Sequence, residues 1–122
     1  MVDHDVLVIG AGLAGMRAAI AAQRAGANVA MISKVHPVRS HSNAAQGGIN
    51  AALRGAEDSV DSHIYDTVKG SDYLGDQDSI ELMCTLAPAE IIALEHMGVI
   101  FNRDDGGRLG TRAFGGASYA RT

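Results

Sequence analysis

The chain has 122 residues, enough for one domain of modest size and too few for two of ordinary size. Its 10 basic and 14 acidic residues give a net charge of −4, which argues against a nucleic-acid partner. The single cysteine, Cys84, excludes a disulfide framework and a cysteine-held metal or iron–sulfur site within this sequence. The composition indicates a globular protein from a reducing compartment.

The first apolar segment, residues 6–22, has the small-residue composition of a signal peptide. Asp3 and Asp5 precede it where a signal peptide has basic residues, and Arg17 interrupts a segment already short for a bilayer. We therefore predict neither a targeting sequence nor a membrane helix.

The segment VLVIGAGLAG predicts the first half of a βαβ unit. A strand over residues 6–9, buried on both faces, leads through a glycine turn into a helix over residues 13–25, with Gly26 as its C-cap. Residues 28–32, NVAMI, predict a second, parallel strand. This arrangement indicates an α/β fold.

The three glycines of the turn have separate roles. Gly10 allows the chain to turn, Gly12 lets a diphosphate approach the backbone, and Gly15 lets helix and strand touch. The helix N-terminus offers free N–H groups and a partial positive charge to that diphosphate. A dinucleotide cofactor is favoured over a glycine turn that binds nothing.

The loop over residues 33–46 is predicted to be irregular and functional. An NAD site usually has Asp or Glu after the second strand; Ser33 and Lys34 stand there, which leaves FAD and NADP open. The loop then supplies His36, Arg39 and His41, which suit an anionic cofactor, although a solvated basic loop has the same composition.

The second half of the chain is predicted to be mainly helical. The predicted elements are a short helix at 47–53, helices at 61–68, 78–86 and 88–97, and short strands at 99–102 and 108–114 joined by a turn at 104–107. Asp78 is predicted to cap the third of these helices and Pro88 to open the fourth. No third buried strand is predicted, and the sequence stops at Thr122 without a helix stop, so we expect an incomplete domain.

Side chains of the predicted helices are assigned to packing. Ile80, Met83, Leu86 and Ala87 form the predicted apolar stripe, and Cys84 beside it is expected to be buried. The histidines His63 and His96 and the aspartates Asp72, Asp76 and Asp78 are expected to have packing, surface, capping or turn roles and to bind no metal.

Five segments carry a family resemblance: VIGAGLAGMRAA, SKVHPVRSHSNAAQGGINAAL, YDTVKGSDYLGDQDSIELMC, LEHMG and RAFGG. Together, and in this order, they resemble the N-terminal part of the flavoprotein subunits of succinate dehydrogenase and quinol:fumarate reductase. The resemblance covers essentially the whole chain. It implies the Rossmann-like FAD-binding βαβ start of a doubly wound parallel sheet, followed by helices, with residues 1–122 as the N-terminal part of the FAD-binding domain.

The resemblance also implies site residues. His41, the histidine of RSHS, is the expected point of covalent FAD attachment, and Phe114 of the FGG segment is a possible contact for a dicarboxylate substrate. Further FAD contacts are expected at Gly10, Ala11, Gly12, Leu13, Ala14, Gly15, Ser33, Lys34, Ser40, Ser42, Ala45, Gln46, Gly47 and Gly48.

In this family the complete subunit interconverts succinate and fumarate and passes electrons to an iron–sulfur subunit. Membrane anchor subunits hold it on the cytoplasmic or matrix face of the membrane. The resemblance implies these partners here, while the catalytic residues would lie beyond residue 122, so the 122 residues alone are expected to be inactive. Related enzymes with non-covalent FAD, such as L-aspartate oxidase or soluble fumarate reductase, and a stand-alone nucleotide-binding module are the alternatives.

Overall fold

The computed structural model describes residues 3–45, 47–54 and 57–122. The chain divides into two compact units, Met1–Gly47 and Gly48–Thr122. The first unit contains strand β1 (Val6–Ile9), helix α1 (Leu13–Arg24) and strand β2 (Val29–Ile32). These bounds confirm the predicted strand–helix–strand order, with a difference of one residue at the end of α1 and at the start of β2.

The two strands form a parallel sheet. Their register pairs Val6 with Val29 and Ile9 with Ile32. Parallel neighbours require a crossover connection, and α1 supplies it. The carboxyl ends of both strands therefore lie at the same edge, next to the glycine turn.

The prediction that β1 is buried on both faces is wrong for this chain. Leu7 and Ile9 are 56% and 79% exposed, whereas Val6 and Val8 are half-buried. Side chains alternate between the faces of a strand, and α1 packs against the Val8 face, where Gly15 lies beside the Val8 side chain. The opposite face has an apolar surface without a covering layer among the described residues.

The segment after β2 is more ordered than predicted. A 3-10 turn over Pro37–Arg39 is followed by a one-turn helix, α2 (His41–Ala44). Pro37 suits the first position of a helical turn because its φ is fixed and it needs no donor there. Residues 33–36 remain irregular, as predicted.

The second unit is built on two helices, α3 (Val60–Gly70) and α4 (Gln77–His96). Ser59 caps α3 by accepting a hydrogen bond from the Ser62 amide. Asp76, and not the predicted Asp78, caps α4 by accepting from the Ser79 amide at 2.8 Å. An aspartate therefore caps this helix, as predicted, but it lies two residues before the predicted one.

The predicted break at Pro88 is wrong, because α4 continues through it. The buried residues Ile80, Cys84, Ile91 and Leu94 are spaced by four, seven and three positions and form one stripe along the whole helix. Burial of apolar side chains on both sides of Pro88 therefore holds the two halves in line and outweighs the one hydrogen bond that proline removes.

The apolar stripe predicted for α4 is only partly correct. Ile80 is buried and Cys84 is completely buried, as expected, whereas Met83 and Leu86 are 52% and 48% exposed. The predicted stripe and the buried stripe both have the spacing of one helix face. The sequence period alone therefore does not identify the buried face.

Three further predicted elements are absent. Residues 47–53 form no helix, and residues 99–114 form no strand. A single antiparallel bridge joins Arg103 to Leu109 around the predicted turn. There the Asp104 side chain accepts hydrogen bonds from the amides of Gly106 and Arg108, a local alternative to strand pairing.

Candidate cofactor and substrate sites

The glycine turn has the geometry that its sequence predicts. Gly10 adopts φ +110°, a conformation that favours glycine, and its amide donates to the Ile32 carbonyl at 2.8 Å. A Cβ on Gly15 would overlap the Gly10 carbonyl oxygen. Glycine is thus favoured at both ends of the turn, by the backbone conformation at Gly10 and by close packing at Gly15.

The N-terminus of α1 is formed by this turn. Gly12 is the N-cap and has no side chain to cap the helix. The amides of Ala14 and Gly15 have no acceptor carbonyl within the helix, and they donate no hydrogen bond to other described residues. These amides and the helix dipole form a site for an anion such as a diphosphate.

Ser42 connects the basic loop with the glycine turn. Its Oγ accepts a hydrogen bond from the Leu13 amide at 2.9 Å and would lie 3.3 Å from a Cβ at position 12. The structure therefore brings together two motifs that are 29 residues apart, and places α2, which begins at His41, beside the predicted diphosphate site.

Other predicted residues of the loop lie in the same unit. Ser33 directly follows β2, and Lys34 follows it, both exposed at the sheet edge beside the turn. The hydroxyl of Ser40 is buried and has no hydrogen-bond partner among the described residues. A bound polar ligand would satisfy this hydroxyl.

The remaining predicted cofactor residues show no contact with the glycine turn among the described residues. Ala45 and Gly47 are exposed in the first unit, and Gln46 lies outside the described residues. Gly48 belongs to the second unit, where a Cβ would overlap the Thr122 side chain. The structure thus brings together the glycine turn and residues 40–42, and it shows a packing role for Gly48.

The described residues of the first unit fit FAD. They provide unpaired helix N-terminal amides, a backbone without side chains at Gly12, and an unsatisfied serine hydroxyl near a histidine. These are the groups that a negatively charged dinucleotide requires.

A separate cavity of about 380 Å³ lies within the second unit. Its lining consists of Asn50, Asp66, Thr67, Gly70, Ser71, Phe114, Gly115, Gly116, Ala117 and Arg121. Phe114 is 57% exposed at this cavity.

A buried ionic cluster supports the cavity wall, and sequence reasoning did not predict it. The Arg121 guanidinium, 2% exposed, donates to Asp58 at 2.5 and 2.7 Å and to Asp66 at 2.6 Å. These carboxylates raise the pKa of Arg121 above its already high ordinary value. For Asp66, burial acts to raise the pKa, but hydrogen bonds from Ser118 and Arg121 outweigh it and lower the pKa.

His63 lies next to this cluster on α3. It is 4% exposed, and its Nδ1 has no hydrogen-bond partner among the described residues. Burial, followed by the positive charge of Arg121, lowers the pKa of His63, while Asp58 and Asp66 act in the opposite direction. His63 is therefore neutral near pH 7, in agreement with the predicted packing role.

Comparison with known proteins agrees with this geometry. A family model described as FAD binding domain matches residues 5–122. The chain belongs to the FAD-binding domain family. This FAD-binding domain is also 56% identical, over 97% of its length, to the mitochondrial succinate dehydrogenase [ubiquinone] flavoprotein subunit of Oryza sativa subsp. japonica, of which it covers 19%.

Solved structures give the same result for the fold. The Mycobacterium smegmatis Sdh1 complex in the apo form matches the FAD-binding domain with a TM-score of 0.91 and 39% identity, covering 97% of this chain and 20% of that chain. A quinol fumarate reductase of E. coli matches with a TM-score of 0.90 and 43% identity over 98% of this chain and 20% of that chain. These matches confirm the family resemblance and the predicted Rossmann-like start.

The chain thus spans about a fifth of the length of the relatives that it matches. Among its described residues, none of the helices combines the length and the apolar character needed to cross a membrane.

Proposed function

We propose that this chain is the N-terminal part of a flavoprotein subunit that interconverts succinate and fumarate. The observation that carries the proposal is the match of nearly the whole chain to succinate dehydrogenase and fumarate reductase flavoproteins, in both sequence and fold. When bound, FAD supplies a two-electron acceptor and donor for this reaction. The tasks of this chain are to hold the cofactor and to line part of the substrate site.

The diphosphate of FAD is proposed to lie on the glycine turn, Gly10–Gly15. There the amides of Ala14 and Gly15 point from the helix N-terminus, and Gly12 leaves room for close approach. Ser33 and Lys34 at the end of β2 are proposed to contact the adenosine part, because they lie at the edge where the turn begins.

The flavin end is proposed to contact residues 40–47, with His41 as the point of covalent attachment. The Ser42–Leu13 hydrogen bond supports this proposal because it fixes α2, and with it His41, to the glycine turn. His41 is exposed, so its imidazole is accessible. A neutral imidazole is a competent nucleophile near pH 7.

Phe114 is proposed to contact the dicarboxylate from the cavity wall of the second unit. The complete subunit is proposed to pass electrons to an iron–sulfur subunit and to reach the cytoplasmic or matrix face of the membrane through separate anchor subunits. This arrangement is what the family resemblance implies, and one structural relative is itself described as a complex. The arginines of this chain are given no catalytic role.

Flavin attachment tests the proposed role of His41. The complete subunit, purified, denatured and run on a gel, is expected to give a fluorescent flavin band. His41→Ser is expected to abolish the band while retaining bound FAD and fumarate reduction, with most succinate oxidation lost. His36→Ser, in the same loop, is the matched control and should keep the band.

A dark wild-type band with release of free FAD would contradict the covalent attachment and favour a relative with non-covalent FAD. Absence of succinate-dependent dye reduction by the intact wild-type protein would contradict the proposed reaction itself.

A further inference from the structure

We propose that Asp66 is a positioning residue for Phe114, acting through Ser118 and Arg121. This inference rests on the proposed function, in which Phe114 contacts the substrate. Asp66 is a buried carboxylate on α3 outside the proposed cofactor site, and it fixes the loop over residues 112–122.

The loop is closed at its base by backbone hydrogen bonds. The Arg112 amide donates to the Thr122 carbonyl at 2.9 Å, and the Thr122 amide donates to the Arg112 carbonyl at 3.3 Å. Within the loop, the Ala117 amide donates to the Phe114 carbonyl at 3.1 Å, and Gly116 adopts φ +83°. Phe114 thus begins a tight turn that ends one residue before Ser118.

Asp66 holds this turn from the helix side. Its two carboxylate oxygens accept from the Ser118 amide at 2.7 Å and from the Ser118 hydroxyl at 2.6 Å. Arg121 donates to the same carboxylate at 2.6 Å and pairs with Asp58 by its other nitrogens. With Asp66 and Arg121 only 7% and 2% exposed, the charge-assisted bond between them is shielded from water, and the two bonds from Ser118 to Asp66 are part-buried.

The ring of Phe114 depends on this anchoring because packing holds it only weakly. It is 57% exposed, and the guanidinium of Arg112, another residue of the loop, lies 6.0 Å from its centroid. A shift of the loop relative to α3 would therefore carry the ring with it. Asp66, Ser118 and the turn over residues 114–117 therefore set the position of the Phe114 ring in the cavity wall.

Ser118→Ala tests the inference with a small change. It removes one hydrogen bond to Asp66 and keeps the amide bond, so the complete subunit should fold and retain FAD. We expect KM for succinate to rise about three- to tenfold with kcat within about twofold, because a hydrogen bond to a charged group is lost and ground-state binding is weakened. Ser118→Thr keeps the hydroxyl and should restore the wild-type KM.

Ser62→Ala, which removes a hydroxyl from α3 outside this network, is the matched control and should leave KM unchanged. In a Phe114→Ala background, Ser118→Ala should change KM by less than about 1.5-fold, since residues that act through one another are not additive. An equal effect of Ser118→Ala with and without Phe114, or no effect on KM, would overturn the inference.

Hydrogen–deuterium exchange gives a readout that does not depend on turnover. In Ser118→Ala, amides 113–118 should exchange faster than in wild type, whereas α4 should be unaffected. Unchanged exchange in that peptide would overturn the positioning role even in an active enzyme. Faster exchange in a protein that fails to oxidise succinate would instead support the anchoring by Asp66 and contradict the proposed function.

Discussion

Gly12 shows how one absent side chain defines the proposed cofactor site. It caps α1 without offering a hydrogen bond, and a Cβ there would lie 3.3 Å from the Ser42 hydroxyl. Any larger side chain would therefore occupy the space through which a diphosphate reaches the helix amides and would also press on the loop that carries His41.

We predict that Gly12→Val will lower the FAD content of the complete subunit severely, whereas strand and helix still form. The measurement is the ratio of flavin to protein absorbance, with far-UV circular dichroism as the check on folding. Ala18→Val, on an exposed position of α1, should keep normal flavin content. Normal flavin content in Gly12→Val would remove the glycine turn from the proposed site.

Residue-level prediction from sequence succeeds where one local requirement determines the residue. Gly10 and Gly15 are examples, since their conformations or contacts exclude any side chain. It fails for Arg121, because the pairing with Asp58 spans 63 residues and leaves no local pattern. An arginine close to the end of the sequence looks like a solvated charge until the fold brings two carboxylates to it.

At the scale of elements, α4 illustrates a conflict between local and tertiary preferences. Pro88 predicts a break, and the buried stripe from Ile80 to Leu94 overrides it. By contrast, α1 and both strands form where they were predicted, to within one residue, because their local preferences agree with their pairing, although β1 is exposed on one face. The same reasoning explains why Gly47–Leu53 is not helical: glycines disfavour a helix, and Ala51 is buried in an irregular segment.

We predict that Pro88→Ala will stabilise α4, because the new amide can donate to the Cys84 carbonyl. The expected gain is about 2 kcal/mol, the helix-propensity difference less the entropy that proline removes from the unfolded chain. Thermal unfolding of the complete subunit measures it as a higher Tm. Ala89→Gly, at the next position, is the control and should lower Tm. A lower Tm for Pro88→Ala would contradict the prediction.

At the scale of the whole molecule, large apolar side chains are exposed in both units. Ile9 and Ile32 are 79% and 53% exposed on the sheet, and Leu74 and Ile100 are 89% and 96% exposed in the second unit. At roughly 25 cal/mol per Å² of apolar area, such exposure costs an amount comparable with the few kcal/mol by which a domain is stable.

We therefore predict that the 122 residues expressed alone will aggregate or remain partly unfolded, bind FAD weakly and show no succinate-dependent dye reduction. Light scattering, flavin content and a dye-reduction assay measure these properties, with the complete subunit as the control. A cooperative thermal transition together with turnover from the 122 residues would contradict this prediction.

The buried ionic cluster also has a consequence for the order of events during synthesis. Asp58 and Asp66 are made 63 and 55 residues before Arg121, their shared cationic partner. At roughly 5–20 residues per second, translation leaves the two carboxylates without that partner for about 3 to 13 seconds. Burying them in that interval would place unpaired charges in the interior. The nascent segment 58–66 must therefore keep these side chains hydrated until Arg121 has emerged from the ribosome, so this part of the second unit packs only after Arg121 is available.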